Sequence, residues 1–546
     1  MKIIVSLIFL IFTYTTLSAQ ECYESYFIKF KDKKFTKYSF EKPEEFLSLK
    51  ALERRKKNNI LIDSSDLPVC DEYINILQDK GFKIKYPLKW FNGVVVSEDK
   101  DTLLEQIKSL SFIENIIKIK PCKSQKTTNK KFEEKDKYEI INIYGLSVHH
   151  FSTVNATWMR DSGLTGNNIT ICILDAGFNS VDNLPAFTNV INENRIIASR
   201  NFVDNGNIYL SHNHGTMVFS IMAGYISNNL IGTATDAKYV LVKTEDSETE
   251  FIIEEYNWTA GAEFADSIGA DIINSSLGYY TFDDSSQNHT YKDMNGTTTI
   301  VTQAANIAFS KGILVVASAG NEANDSWKYI IAPADGDKVL SVGAIDQNLK
   351  RAPFSSVGPS SDGDIKPNIV AMGYNNVVQT YNGGVQFSSG TSLAAPVISG
   401  LAASLWQAFP EMKNSDIFKA IEKSSSQYNS PDSLIGYGIP DFLKAYKILE
   451  NYRNVQNFNR MYISLYPNPV RDKLNIEIYD NKENSILIEI YELQGNLLFS
   501  RKYNCNNDIN NLITIEEFRN FQSGIYILSI KNSENQLTKF KIFKIN

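Results

Sequence analysis

Apolar runs and amphipathic segments alternate through the middle of the chain. The apolar runs lie at residues 169–174, 239–243, 271–275, 313–318 and 339–345. Segments with helical periodicity lie between them, at residues 214–224, 251–268 and 298–311. Strands without a polar face, alternating with helices, are typical of a parallel sheet that helices cover on both faces. The pattern therefore predicts an α/β domain over residues 140–455.

The start of the chain has the pattern of an export signal. Lys2 precedes an apolar run over residues 3–12, and Leu17-Ser18-Ala19 forms a small-residue cleavage site. The apolar run is too short to span a bilayer, and no later stretch reaches the required length. Residues 1–19 are therefore expected to direct export, and no transmembrane span is expected.

The next segment predicts a small α/β unit over residues 20–122. Its strand-like stretches lie at 26–30, 92–96 and 113–119, and its helical stretches at 43–55 and 71–80. Residues 123–139 are rich in lysine and lack aliphatic side chains, which is typical of an exposed linker open to proteolysis.

The last 86 residues, 461–546, change to a two-residue period. Leu474, Ile476 and Ile478 alternate with polar neighbours, and further short strands are separated by Asn, Gly and Ser turns. This spacing predicts a small all-β sandwich.

Composition and charge narrow the function classes. The 546 residues carry a net charge of −7 and no basic block outside the linker, which argues against nucleic-acid binding. The five cysteines are odd in number and scattered, so they predict neither a metal site nor a disulfide framework. Cys172 lies in an apolar strand and is expected to be a buried thiol.

Three segments carry residues suited to nucleophilic catalysis. Asp175 follows the run 169–174, His214 opens a small-residue helix, and Ser392 precedes an apolar helical run. A hydroxyl nucleophile needs an imidazole to take its proton and a carboxylate to orient that imidazole. Asn321 follows another strand and a glycine, where its amide can donate to a developing oxyanion.

Each of these residues also has an ordinary structural interpretation. Ser392 can cap a helix, Asp175 and Asn321 can form turns, and His214 can be a satisfied core histidine. Asp175 and Asn321, however, both follow strand ends, the edge at which parallel sheets bind ligands. Four suitable contexts in one chain favour a site over four separate coincidences.

The motifs resemble those of the subtilisin-like serine proteases, in the same Asp, His, Ser order. The matching stretches are ILDAGF around Asp175, HGTMV from His214, NSSLGY at 274–279, SAGN ending at Asn321, and GTSLAAP around Ser392. The resemblance implies a subtilisin-like fold and hydrolysis of polypeptides through an acyl-enzyme. It also implies that two segments flank the substrate: Ser276, Leu277 and Gly278, and Ala317, Ser318 and Ala319.

Both ends of the chain extend this resemblance. Residues 20–122 are similar in position and pattern to subtilase propeptides, which implies an intramolecular inhibitor removed within residues 120–143. Residues 461–546 resemble the sorting domains of the type IX secretion system of Bacteroidetes, through Tyr466-Pro467-Asn468-Pro469, Gly495-Asn496, Gly524-Ile525-Tyr526 and Lys539-Phe540-Lys541. A carbohydrate- or protein-binding sandwich is the alternative for this unit.

The sequence assigns no cofactor. Asp293-Met294-Asn295-Gly296 offers oxygen ligands for calcium, but a solvated Asx-Gly turn is favoured, because two ligands make a weak motif. This stretch lies in a loop at 278–300 that is longer than in compact subtilisins, so pocket shape is not implied by the resemblance.

The expected function is a secreted serine endopeptidase. One alternative is a catalytically silent subtilase fold that serves as a surface binding protein. Another is a nucleotide-dependent α/β enzyme, which needs a G-x-G-x-x-G after the first strand, whereas residues 175–180 contain one glycine.

Overall fold

The computed structural model describes residues 24–98, 101–122, 144–456, 462–479, 485–504, 511–531 and 537–546. The expected signal (1–19) and linker (123–139) lie outside these residues. We refer to residues 24–122 as the N-terminal unit, 144–456 as the central domain and 462–546 as the C-terminal unit.

The N-terminal unit is a four-stranded antiparallel sheet with three helices. Its strands are β1 (Glu24–Phe30), β2 (Lys83–Leu88), β3 (Gly93–Glu98) and β4 (Ile113–Lys120), in the order β2-β3-β1-β4. Its helices are α1 (Leu49–Asn58), α2 (Asp71–Asp79) and α3 (Asp101–Ile107). The helix expected over 43–55 is divided, because a short 3-10 turn at Pro43–Glu45 ends before Ser48 caps α1.

The central domain is built around a seven-stranded parallel sheet in the order β13-β12-β11-β10-β5-β9-β6. Its strands are β5 (Thr170–Asp175), β6 (Ile196–Asn201), β7 (Tyr225–Ile226), β8 (Leu230–Ile231), β9 (Lys238–Lys243), β10 (Ile272–Ser275), β11 (Leu314–Ser318), β12 (Val339–Ile345), β13 (Ile369–Met372), β14 (Asn376–Gln379) and β15 (Val385–Ser388). Its helices are α4 (Val148–Ser152), α5 (Thr157–Asp161), α6 (Thr188–Asn192), α7 (His214–Ala223), α8 (Ile253–Ile268), α9 (Ile300–Ser310), α10 (Thr391–Ala408), α11 (Asn414–Ser424) and α12 (Phe442–Gln456).

Helices cover both faces of this sheet. Successive strand residues point to opposite faces, so each strand contributes to two cores. Ile171 and Ile173 pack into one core with residues of α7 and α10. Cys172 and Leu174 pack into a second core with residues of α8 and α9. Burial on both faces explains why these strands lack a polar face.

The C-terminal unit consists of two antiparallel sheets around one core. The first has the order β16-β17-β20, with β16 (Tyr462–Tyr466), β17 (Leu474–Tyr479) and β20 (Asn511–Ile515). The second has the order β19-β18-β21-β22, with β18 (Ser485–Glu492), β19 (Leu497–Asn504), β21 (Gly524–Lys531) and β22 (Leu537–Lys544).

The predicted fold class is confirmed, with additions. Nine strands were not expected from the sequence: β2, β6, β7, β8, β13, β14, β15, β16 and β20. Cys172 is a buried free thiol, as predicted. The cysteine spacing did not predict the disulfide that Cys122 forms. Cys70 is a buried free thiol like Cys172. Within those ranges, no helix is long and apolar enough to cross a bilayer.

Candidate active site

A carboxylate and an imidazole meet at the carboxyl edge of the central sheet. Asp175 is the last residue of β5, and His214 is the first residue of α7. His214 Nδ1 lies 2.7 Å from Asp175 Oδ1, which also accepts the Ala176 N–H at 2.8 Å. Both side chains are buried. The contact fixes the ring orientation of His214 and favours the tautomer that carries its proton on Nδ1.

The small residue after His214 makes this contact possible. A Cβ atom at Gly215 would lie 2.4 Å from the carbonyl oxygen of Gly177 and 3.0 Å from Cβ of Asp175. Any larger residue would push α7 away from the loop that follows β5. The pairing of Asp175 with His214 therefore depends on the glycine in the HGT motif.

Ser392 lies in the first turn of α10, where the backbone N–H groups have no acceptor within the helix. Pro396, one turn later, has no N–H to donate to the Ser392 carbonyl. The hydroxyl of Ser276 donates to that carbonyl instead, at 2.7 Å, and accepts from Asn274 Nδ2 at 3.1 Å. These bonds attach the start of α10 to the end of β10.

The amide of Asn321 is oriented by the residue next to Ser392. Its Oδ1 accepts the backbone N–H of Thr391 at 2.9 Å and the hydroxyl of Thr391 at 3.0 Å. A Cβ atom at Gly390 would lie 2.8 Å from Ser392 Oγ and 3.8 Å from Asn321 Nδ2. The hydroxyl and the amide N–H₂ group therefore border one small space, which the absence of a side chain at Gly390 keeps open. Asn321 is exposed at this point.

The two expected substrate segments follow neighbouring strands. Ser276, Leu277 and Gly278 come directly after β10, and the hydroxyl of Ser276 is directed at α10. Ala317 and Ser318 are the last residues of β11 and are paired within the sheet, so that Ala319 is the first residue beyond the strand.

Ile331 lies between these segments and was not singled out from the sequence. A Cβ atom at Gly278 would lie 2.3 Å from Ile331 Cδ1, and one at Gly320 would lie 3.1 Å from the same atom. The Ile331 N–H donates to the carbonyl of Ala319 at 3.3 Å. Its side chain thus occupies the room that the two glycines leave. No motif in the sequence marked this residue.

The two oxygen ligands considered for calcium take part in local turns. Asp293 Oδ2 accepts the N–H and hydroxyl of Thr290, both at 2.7 Å. Asn295 Oδ1 accepts the N–H groups of Thr297 and Thr298, both at 3.0 Å. Such contacts are typical of an Asx turn, the interpretation favoured for this stretch from the sequence.

The N-terminal unit covers α8 of the central domain. Phe27 and Tyr256 are in ring contact, with centroids 5.0 Å apart. Glu263 accepts the backbone N–H groups of Lys89 and Trp90, both at 2.8 Å. Because this carboxylate is buried beneath the N-terminal unit, its pKa is raised to about 7.

Residues 166–438 match the family described as the subtilase family. The chain belongs to this family. Residues 25–135 match the peptidase S8 propeptide domain of Bacteroidota, and residues 464–544 match the secretion system C-terminal sorting domain. The subtilase is therefore a serine protease with a propeptide and a sorting domain, and it is secreted or displayed at the cell surface.

Individual relatives agree with this assignment. A thermostable alkaline protease of Halalkalibacterium halodurans is 31% identical over 292 residues, which cover 53% of this chain and 70% of the relative. Subtilisin NAT of Bacillus subtilis subsp. natto is 28% identical over 357 residues, covering 64% and 80%. The crystal structure of the epidermin leader peptide processing serine protease of Staphylococcus aureus has the same fold, with a TM-score of 0.53 at 18% identity, covering 78% of this chain and 99% of that one.

Proposed function

We propose that this subtilase hydrolyses peptide bonds through an acyl-enzyme formed on Ser392. Ser392 Oγ attacks the carbonyl carbon while His214 Nε2 takes the hydroxyl proton, and Asp175 orients the imidazole and stabilises its charged form. His214 then returns the proton to the leaving amine. A water molecule, activated by His214 in the same way, hydrolyses the ester and restores Ser392.

The oxyanion formed in each step is assigned to two donors, Asn321 Nδ2 and the backbone N–H of Ser392. Support comes from Thr391, whose two hydrogen bonds to Oδ1 leave Nδ2 directed away from it, and from Gly390, which both groups border. A preset amide needs no reorientation when charge develops on the substrate oxygen. The 2.7 Å contact between Asp175 and His214 is the single observation that carries the proposal.

We further propose that substrates enter along Ser276–Gly278 and Ala317–Ala319, with a small side chain before the scissile bond. Ile331 is the reason, because it fills the slot between Gly278 and Gly320. A large aromatic side chain would have to displace it, whereas alanine or glycine would not. No metal or other cofactor is assigned to the reaction.

The remaining partners follow from the two ends of the chain. The propeptide acts as an intramolecular inhibitor, and the C-terminal unit engages the type IX secretion machinery. Self-processing requires the same nucleophile as substrate cleavage, so a chain without Ser392 Oγ is expected to keep its propeptide.

The decisive test compares purified wild-type and Ser392→Ala protein on unfolded casein, with and without a serine-directed phosphonylating reagent. Wild-type protein should release peptides until the reagent is added, and the variant should lose about 10⁶-fold in rate. Ser404→Ala is a matched control, since this buried hydroxyl of the same helix donates only to the Thr233 carbonyl. No release by fully processed wild-type protein would favour the silent binding scaffold.

A further inference from the structure

The propeptide contains a long connection between β1 and α2, and α1 lies within it. The sequence of α1, LKALERRKKN, suggests a solvated basic helix. In the structure, however, Arg54 and Arg55 are only 3% and 2% exposed. They are buried against the central domain, which we now call the catalytic domain. Helix α1 is therefore part of the interface between the propeptide and the catalytic domain.

Arg54 binds where α8 ends. Its Nη2 donates to the carbonyl of Asp266 at 3.0 Å and to Asp266 Oδ1 at 2.5 Å. Its Nη1 donates to the carbonyl of Ala270, and its Nε donates to the carbonyl of Lys311 at 3.1 Å. Four hydrogen bonds thus join the Arg54 guanidinium to acceptors of the catalytic domain.

Arg55 extends the same cluster. Its Nη1 donates to the Lys311 carbonyl at 2.6 Å, and its Nη2 bridges Asp66 Oδ1 at 2.7 Å and Asp266 Oδ2 at 2.9 Å. In return, the Lys311 ammonium of the catalytic domain reaches Asp66 of the propeptide at 2.8 Å. Each of the two domains thus supplies both positive and negative side chains, and these charges are paired within the interface.

The acceptor surface has a physical origin. Helices α8 and α9 both end here, since Gly269 caps α8 and Lys311 caps α9. Helix C-termini carry partial negative charge on unsatisfied carbonyls. Ser48 of the propeptide satisfies two more of them, donating its N–H to Ser267 at 2.9 Å and its hydroxyl to Ile268 at 2.7 Å.

Asp266 completes this surface. Although burial raises its pKa, the facing Lys89, Arg54 and Arg55 hold the pKa of Asp266 well below its usual range. A buried carboxylate in this state needs its cationic partners, because an uncompensated buried charge is costly. The surface is thus complementary to adjacent arginines.

This surface lies at the opposite edge of the sheet from the catalytic residues. Ala270 precedes β10 and Ser276 follows it, while Lys311 precedes β11 and Asn321 follows it. Five residues of β11 separate the two edges by about 15 Å. Cutting the linker therefore leaves these contacts intact.

We propose that the surface formed by Asp266, Ala270 and Lys311 is a second docking site for the propeptide. The Arg54–Arg55 pair occupies it and keeps the propeptide attached after the linker has been cut. The pair thereby sets how slowly the processed propeptide dissociates from the catalytic domain. The proposal rests on the proposed function only for the self-processing that cuts the linker.

The test uses the whole chain with Arg54→Gln and Arg55→Gln together. Both changes lie in the propeptide, so the released mature enzyme has the wild-type sequence. We expect the processed propeptide to dissociate at least about tenfold faster, since losing one side of buried charge pairs acts mainly on dissociation. The lag before casein cleavage should shorten accordingly, while the final activity per mature enzyme stays the same.

Two further variants make the result decisive. Lys29→Gln is the control, because its ion pair with Glu114 is exposed and lies within the propeptide. If the double variant does not fold, Lys50→Gln removes a more exposed contact of α1 with Asp271, 2.6 Å long, and should speed dissociation less but in the same direction. Dissociation at the wild-type rate in a folded double variant, or in Lys50→Gln if that variant is used, would overturn the proposal.

A second arm is independent of the protein's own catalysis. In the Ser392→Ala chain, brief trypsin treatment cuts the lysine-rich linker, and mass spectrometry identifies the fragments. The propeptide should co-elute with the catalytic domain in gel filtration and separate when the arginine pair is replaced. Immediate separation of the unsubstituted fragments would contradict the second docking site, whereas an inactive wild-type enzyme in the first arm would contradict only the proposed function.

Discussion

The candidate active site and the proposed second docking site lie at opposite edges of the same sheet and are built from different interactions. At the candidate active site, Asp175 and His214 form one buried pair, and Ser392 and Asn321 border a small space that Gly390 keeps open. At the docking site, at least four charged side chains pair across two domains. Chemistry needs few charges held in a fixed geometry, whereas attachment needs many contacts that are lost together. Changes at one edge should therefore leave the other edge unaffected.

The largest expected effect sharpens this contrast at the catalytic edge. Asn321→Ala removes one of two oxyanion donors, so kcat should fall about 10²–10³-fold with little change in KM. The measurement is steady-state hydrolysis of a peptide substrate by processed enzyme. Asn295→Ala, in the turn beyond Asp293, is the control and should retain activity. A rise in KM without loss of kcat would assign Asn321 to substrate binding instead.

A smaller effect tests selectivity at the same edge. Ile331→Gly empties the slot between Gly278 and Gly320, so kcat/KM for phenylalanine before the scissile bond should rise about 10- to 100-fold relative to alanine. Ile331→Val keeps the slot filled and should change this ratio little. A wild-type enzyme that already prefers phenylalanine would show that the substrate side chain binds elsewhere.

The smallest effect tests the propeptide interface by pH. The pKa of Glu263 is about 7 under the propeptide and should return towards its usual 4.5 once the propeptide leaves. The complex then holds one more proton than its separated parts, so its stability is greatest below pH 4.5 and is lost as pH rises to 7. The dissociation constant of the processed propeptide should increase by up to about tenfold per pH unit in this window.

Glu263→Gln should flatten that dependence, because its side chain no longer titrates. The charged groups that face Glu263 are Lys89, Lys33 and Asp266. Burial lowers the pKa of Lys33 to about 8, so this side chain stays charged throughout the window. If the pH profile of Glu263→Gln were unchanged, a titrating group other than Glu263 would be responsible for the pH dependence of dissociation.

The same contrast explains which features of the fold and the candidate site could be predicted from the sequence. Asp175, His214, Asn321 and Ser392 each lie in a short, recognisable motif, although their contacts join segments that are far apart in the chain. The apolar strands could be predicted equally well, because burial on both faces leaves them without polar positions. The main sheet could therefore be predicted, whereas the assignment of these four residues to catalysis stays a prediction.

Some features that could not be predicted depend on residues that are distant in the sequence, and others have weak local patterns. Arg54 and Arg55 look solvated in LERRKK, and their burial follows from Asp266, which lies more than 200 residues away. Strand β6 is at the sheet edge and partly exposed, so its pattern is weak. Strand β13 has only four residues. Ile331 gained its place from two glycines on other segments.

The disulfide at Cys122 has a consequence for when the protein can be completed. Disulfides persist in oxidising compartments and are rare where thiols are kept reduced. Cys122 lies two residues beyond β4, at the end of the N-terminal unit. We therefore expect this disulfide to form after the chain has left the cytoplasm. Protein recovered from a reducing cytoplasm should accordingly carry Cys122 as a free thiol.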